Sequence, residues 1–262
     1  MEQVIIIKVG GNIIDDEQQL TAFLQAFAHI AEKKILVHGG GKLATQLAAQ
    51  LQIPQQMIDG RRITDAATLK IVSMVYAGHI NKNIVARLQS LQCNAIGLTG
   101  ADGNLIQAHQ RIHPTIDYGF VGDIDSVNTA LLQQLLNANF SIVVAPITHN
   151  TQAQLLNTNA DTIAQEIATA LAKHYGVSLI YLFEKAGVLM DVHNDDSIIA
   201  SITPQQFAQL KAQGIIADGM LPKLENAFSA LQKGVQRVII GKANVLPELL
   251  NGTSGTTLTS GT

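Results

Sequence analysis

A chain of 262 residues with 47% hydrophobic, 14% charged and 4% aromatic side chains and a formal net charge of -3 is long enough for one large α/β unit or two fused lobes. Its 17 lysines and arginines are scattered rather than gathered into a stripe, which argues against a polynucleotide partner, and no apolar run approaches the roughly 18 residues of a membrane span. The single Cys93 has nothing to pair with, and Met1 is followed by a polar pair instead of a signal-peptide apolar stretch, so a soluble cytoplasmic protein is expected.

In chain order, short β-branched or apolar runs predict buried strands over 4–9, 35–38, 94–99, 140–146, 178–183 and 235–241. Such unbroken apolarity is what strands covered on both faces require. Between them, helical patterns cover 17–32, 42–51, 65–91, 128–137, 159–175, 204–213 and 218–233. This alternation predicts right-handed βαβ crossovers and a mainly parallel sheet. Two hairpin-like insertions, at 55–63 and 104–127, carry clustered Gly, Pro and Asp and read as loops that cover a site. The glycine after Tyr175 divides the chain into a larger first lobe, 1–175, and a smaller second one, 176–262. The tail from Gly252 to Thr262 reads as an edge strand or a frayed end.

The chemistry-bearing residues cluster at strand ends. The first strand runs into Lys8-Val9-Gly10-Gly11-Asn12 and the second into His38-Gly39-Gly40-Gly41-Lys42, followed by a helix. Glycine lets a backbone curl so that several N–H groups point at one anion, and the helix start adds its partial positive charge. Gly39-x-Gly41-x-x-Ala44 matches a dinucleotide fingerprint in form, but the acids that follow, Asp59 and Asp65, do not end an apolar strand. A P-loop is excluded because Leu43 follows Gly41-Lys42. Lys8, an ammonium near the end of an Ile-Ile-Ile strand, is costly unless an anion meets it. Lys223 sits in the first turns of a predicted helix, where the dipole disfavours cations. Both lysines therefore suggest a shared anionic ligand. Asn159 and Asp161 suit an N-cap and a first-turn acid, whereas Asn157 needs another explanation. Arg61-Arg62 before Thr64 either clamps a substrate carboxylate or forms a solvated surface pair. His109 and His113 have helical metal spacing, but Pro114 and the hairpin context argue against a zinc helix.

Taken together, Lys8-Val9-Gly10-Gly11, His38-Gly39-Gly40-Gly41, Gly60-Arg61-Arg62-Ile63-Thr64, Gly119-Phe120-Val121-Gly122-Asp123, Asn157-Thr158-Asn159-Ala160-Asp161 and Ile216-Ala217-Asp218-Gly219-Met220-Leu221-Pro222-Lys223 resemble the N-acetylglutamate kinases of the amino-acid kinase superfamily. The resemblance implies a three-layer αβα sandwich on a mainly parallel central sheet of about eight strands. It also implies acylglutamate binding in the first lobe and MgATP mainly in the second. By the same resemblance, Lys8 and Lys223 stabilise the transferring phosphoryl group, Asp161 holds both lysines, and the amides of Gly11 and Gly41 face that group. Gly40, Gly41, Arg62 and Asn157 then meet the amino-acid substrate, and Lys8, Gly10, Gly11, Glu184, Lys185 and Lys223 the nucleotide, with Mg²⁺ arriving on the ATP phosphates. Relatives inhibited by arginine carry a helix before the first strand, so an arginine-insensitive homodimer joined through the 65–91 region is expected here.

The sequence departs from that pattern in two places. Phe183-Glu184-Lys185 stands where a small hydroxyl residue and Asp-Val are usual, and Ala101 where lysine is frequent. The acyl cap, acetyl or succinyl, is left open, as is a catalytically inactive metabolite-binding role. A carbamate or aspartate kinase is the remaining alternative; Arg62 and Asn157 argue against carbamate, which has no α-carboxylate to clamp.

Overall fold

Val4 and Ile6 belong to one apolar layer, and Ile5, Ile7 and Val9 to another, so the strand Gln3–Val9 has to be covered on both faces. The computed structural model describes residues 1–58, 61–191, 193–216 and 220–261. It places this strand inside an eight-stranded sheet. The order is Ser201–Ile202, Thr256–Leu258, Arg237–Gly241, Gly176–Leu182, Gln3–Val9, Lys33–His38, Ser141–Val144 and Ala95–Leu98. Neighbours are parallel except Arg237–Gly241 with Thr256–Leu258. Helices Thr129–Asn137, Ala160–Leu171, Pro204–Ala212 and Leu221–Gln232 pack on one face. Glu17–Ala28, Gly41–Gln50, Asn81–Ser90 and Leu246–Asn251 pack on the other. This is the expected three-layer αβα sandwich, and its sheet runs unbroken across residues 175 and 176.

The site is set by the ends of three central strands. Val9 pairs with both His38 and Leu182, so the strands finish level and their following loops converge. The chain builds outward on one side of Gln3–Val9 through Lys33–His38 and on the other through Gly176–Leu182. That is a switch point, where a parallel sheet leaves a crevice beyond its carboxyl ends.

Several expectations from the sequence change in detail. The strand expected over 140–146 stops at Val144, because Pro146 has no N–H to give a ladder. The chain then enters a second sheet of Leu155–Asn157, Ile147–His149, Ile106–Gln110 and Gly122–Val127. The tail is neither an edge nor frayed: Thr256–Leu258 lies between two strands, with Thr256 fully buried. The six-residue helix before it rises only about 9 Å, too little to carry the chain back along a strand of about 16 Å, so the return is antiparallel. The helices expected over 17–32 and 159–175 end earlier, at Ala28 and Leu171. The long 65–91 helix contains a wider π-helical stretch, Ser73–Ile80, between Ala66–Val72 and Asn81–Ser90. The start expected at Asp218, with Ala217, Gly219, Asp59 and Gly60 of the segments quoted above, lies outside the described residues. Among the described residues no helix is long and apolar enough to cross a membrane.

The two insertions are tied to each other and to the crevice. One is the short hairpin Met57–Ile58 and Arg61–Arg62; the other is the antiparallel pair Ile106–Gln110 and Gly122–Val127. Phe120 N–H donates to the Thr64 carbonyl at 2.7 Å, and Asn157 N–H to the Phe120 carbonyl at 2.8 Å. Gly119, at φ 65°, makes this crossing possible, since a Cβ there would lie 2.3 Å from the Thr64 carbonyl oxygen.

Candidate active site

Two cavities open beyond the convergent strand ends, and Gly41 borders both. The larger, about 870 Å³, is walled by Gly10, Gly11, Phe183, Glu184, Lys185 and Lys223 together with Lys242 and Asn244. The smaller, about 180 Å³, is walled by Gly39, Gly40, Arg61, Arg62, Tyr76, Asn157 and the start of the Ala160–Leu171 helix. A long polyanion and a small amino acid would fit these two spaces, with their reactive ends meeting at Gly41.

The glycine loops form the seam between the cavities. Gly39 N–H donates to the Val9 carbonyl at 3.0 Å, and a Cβ built on Gly11 would lie only 3.8 Å from the Gly41 nitrogen. The loops are therefore close enough for one anion to meet amides from both. The ten-residue helix Gly41–Gln50 starts here without a side-chain cap, which leaves its first N–H groups for a ligand. Gly40 has φ 146°, and a Cβ there would stand 2.2 Å from Ile80 Cδ1 and 3.2 Å from the Tyr76 ring. The π-helical stretch presses both side chains against this turn.

His38 underpins the same loop. It is fully buried, and burial holds its pKa down, to about 4. The ring is thus neutral at pH 7, with Nδ1 2.8 Å from the Gly39 carbonyl oxygen and Nε2 3.2 Å from Asn81 Nδ2. The amide of Asn81 also donates to the Val143 carbonyl, at 3.1 Å. These contacts imply that Nδ1 carries the proton and that Nε2 accepts.

Arg62 is 8% exposed. Its Nη2 donates to the Gly41 carbonyl at 3.0 Å and to Thr45 Oγ1 at 2.9 Å, and Nη1 donates to Gln55 Oε1. Three of its five N–H donors are engaged this way, all with neutral acceptors. Among the described residues no carboxylate pairs with it, so a buried positive charge faces the small cavity uncompensated. Asn157, in the wall of the same cavity, donates from Nδ2 to Thr64 Oγ1 at 3.0 Å. Asn159 caps the Ala160–Leu171 helix, accepting from Asp161 N–H at 2.7 Å and Thr162 N–H at 3.2 Å.

Lys8 and Asp161 form an ion pair at 2.8 Å; Lys8 Nζ would lie 3.8 Å from a Cβ on Gly10, so the pair stands just behind the first glycine loop. Lys223 makes no ion pair among the described residues, and its ammonium instead lies 3.8 Å from the centroid of the Phe183 ring. Lys185 lines the larger cavity but is paired with Asp195 at 2.7 Å.

Of the residues singled out in the sequence, Gly10, Gly11, Glu184, Lys185 and Lys223 border the larger cavity. Gly40, Arg62 and Asn157 border the smaller one, and Gly41 both. Sequence reasoning assigned nothing to His38 beyond its place in a motif, nor to Asn81, Tyr76, Gln55 or Thr45, because their contacts depend on helix packing. Lys242 and Asn244 were also missed: they follow the sixth apolar run, at a strand end where a ligand could have been sought.

Comparisons with known proteins are consistent with this geometry. Residues 3–242 match the model of the amino acid kinase family. The chain is 55% identical over 252 residues to the acetylglutamate kinase of Cytophaga hutchinsonii, covering 96% of each chain. It is 54% identical to that of Phocaeicola vulgatus, over 94% of this chain and 96% of the relative. Among solved structures, a Streptococcus mutans protein superposes with a TM-score of 0.79 at 26% identity, over 98% of both chains.

Proposed function

The chain belongs to the amino acid kinase family, and on that premise we propose that it transfers the γ-phosphoryl group of ATP to the side-chain carboxylate of N-acetyl-L-glutamate. The product is N-acetylglutamyl 5-phosphate, in the second step of arginine biosynthesis. The observation that carries the reading is the meeting of the two cavities at Gly41, with a buried guanidinium in the smaller one and lysines beside the larger one.

The acceptor carboxylate has a pKa of about 4.3 and is already ionised at pH 7, so no general base is needed. Catalysis then rests on alignment and on neutralising charge spread over the phosphoryl oxygens. We assign Lys8 and Lys223 to those oxygens, with Asp161 orienting Lys8, and Gly11 and Gly41 as amide donors from the two loops. Gly10, Glu184 and Lys185 flank the nucleotide, while Gly40, Arg62 and Asn157 hold the amino-acid substrate. The larger cavity offers Glu184 as its carboxylate among the described lining residues. Magnesium, a cation that prefers phosphate and water oxygens, would enter as MgATP and neutralise phosphate charge. The smaller cavity draws its described walls from residues 39–160, which supports acylglutamate binding in lobe 1–175, and the larger takes 182–185, 220, 223 and 242–244 from the second lobe, which supports ATP binding mainly in lobe 176–262. Dependence on ATP supports a cytoplasmic location.

ATP-dependent hydroxamate formation from N-acetyl-L-glutamate tests the reaction. Arg62→Ala is expected to raise KM for the acylated amino acid by roughly 30-fold or more, as truncating one partner of a buried charge pair does, with a smaller change in kcat. A normal KM would remove Arg62 from the substrate site, and absence of product with the unaltered chain would remove the reaction. Turnover with N-succinyl-L-glutamate alone would change the acyl group and leave the reaction type standing.

The 65–91 region also supports a homodimer. Met74, 56% exposed, sits on the π-helical stretch, whose opposite side closes the small cavity. Sedimentation should give twice the 28.0 kDa chain mass, and Met74→Glu should shift the protein toward monomer. A monomeric parent chain, or a hexamer, would overturn the assignment.

A further inference from the structure

Lys223 presents a problem in charge balance. Its ammonium is half-buried, and burial pulls its pKa down, with Asp161 and Glu184 acting to raise it and Lys8 to lower it. Among the described residues it has no ion-pair partner, and Asp161 Oδ1 is already 2.8 Å from Lys8 Nζ. A cation removed from water needs some compensating negative potential.

Phe183 supplies it. The Lys223 ammonium lies 3.8 Å from the ring centroid, well inside the roughly 6 Å range of a cation–π contact. Lys8 lies 5.7 Å from the same centroid, so one ring sits beside both ammoniums. The ring is itself held: Tyr181 stacks on it with centroids 6.0 Å apart and planes 9° from parallel. Tyr181 is buried, and its hydroxyl donates to the Asp161 carbonyl at 3.3 Å. Strand end, helix start, ring and both lysines therefore form one connected unit.

We propose that Phe183 is a positioning residue that holds the Lys223 ammonium over its ring face, beside the phosphoryl path, and keeps it aimed there through the transfer. The inference rests on the kinase reading for its catalytic consequence, although the ring contact stands apart from it. A π face suits this task better than a carboxylate would. It stabilises the cation without an anionic partner that the phosphoryl oxygens would have to displace, so the attraction to the developing charge is kept for the transition state.

The test replaces Phe183 in the full chain with phenylalanines carrying increasing ring fluorination, which weakens the ring quadrupole while nearly preserving shape. The expected result is a stepwise fall in kcat, reaching roughly 5–30-fold, the equivalent of about 1–2 kcal/mol for a desolvated cation–π contact. KM for N-acetyl-L-glutamate should be unchanged, Phe183→Leu should match the most fluorinated variant, and Phe183→Trp should restore the rate. A second measurement needs no turnover. The ε-methylene protons of Lys223, identified by their loss in Lys223→Arg, should show an upfield ring-current shift that vanishes in Phe183→Leu. A flat fluorine series, or ε-methylene protons at the same position with and without the ring, would overturn the proposal. A chain with the ring-current shift but no turnover would instead overturn the kinase reading and leave the ring contact intact.

Discussion

Lys8→Ala is expected to lower kcat by roughly 10²–10³-fold, the cost of losing one donor to a charge-developing oxygen. Lys8 is the second-last residue of a fully parallel-paired central strand, registered with Val37 and Tyr181. Its backbone is therefore fixed, and the Asp161 contact at 2.8 Å fixes the end of its side chain. Such a rigid ammonium costs no reorganisation when charge gathers on the phosphoryl oxygens. Removing it leaves Asp161, whose side chain is 30% exposed, to be rehydrated, so the fold should survive while the chemistry is lost. Lys8→Arg should recover little, because a planar guanidinium cannot occupy the place of a compact ammonium. Steady-state kinetics with both substrates saturating, alongside a thermal melt, separates these effects. A kcat near that of the parent chain would remove Lys8 from the phosphoryl site.

Gly40→Ala should act through the backbone instead. Residue 40 has φ 146°, a conformation that L side chains rarely adopt, and the new methyl would meet Ile80 Cδ1 at 2.2 Å. Conformational strain and local overpacking together are expected to destabilise the fold by roughly 2–4 kcal/mol. For a chain of this length that corresponds to a fall in Tm of roughly 4–16 °C. The effect on activity should exceed the effect on stability. Turning residue 40 away from its native φ rotates the Gly41 amide at the seam of the two cavities, and both substrates lose alignment. Gly40→Ala combined with Ile80→Val tests this division: relief of the contact should recover part of the Tm but not the activity. An unchanged Tm in the single variant would show that the turn accommodates a side chain.

Much of this arrangement was legible in the chain. The Ile5–Ile7 triplet and its counterparts could only be strands covered on both sides, and their alternation with helical patterns dictated a parallel sheet. Glycines directly after two such strands had to sit at the ligand-binding edge. Lys8 was conspicuous because a charge does not belong at the end of a buried strand without a partner. Phe183 shows the opposite case. In the sequence it marked only a departure near the nucleotide side, since an aromatic residue after an apolar strand normally signals packing. The Lys223 ammonium above it comes from a helix 40 residues later, and no local pattern records that approach. The π-helical stretch was equally hidden: Ser73–Ile80 has ordinary helical composition, and the approach of its Tyr76 and Ile80 side chains to Gly40 is recorded in no local pattern.

The sequence by itself determined the layers, the edge of the sheet where ligands bind and most of the charged groups that serve them. These features follow from local periodicity, strand ends and the cost of burying charge, all of which are written in neighbouring residues. Only the tertiary structure decided which charges are paired and which are free. Asp161 pairs with Lys8, Arg62 faces the small cavity with neutral partners, and Lys223 rests on an aromatic ring. Those outcomes depend on distances between segments tens to hundreds of residues apart, and electrostatic and aromatic contacts weaken over a few ångströms. The packing of the two helical layers on the sheet sets those ångströms.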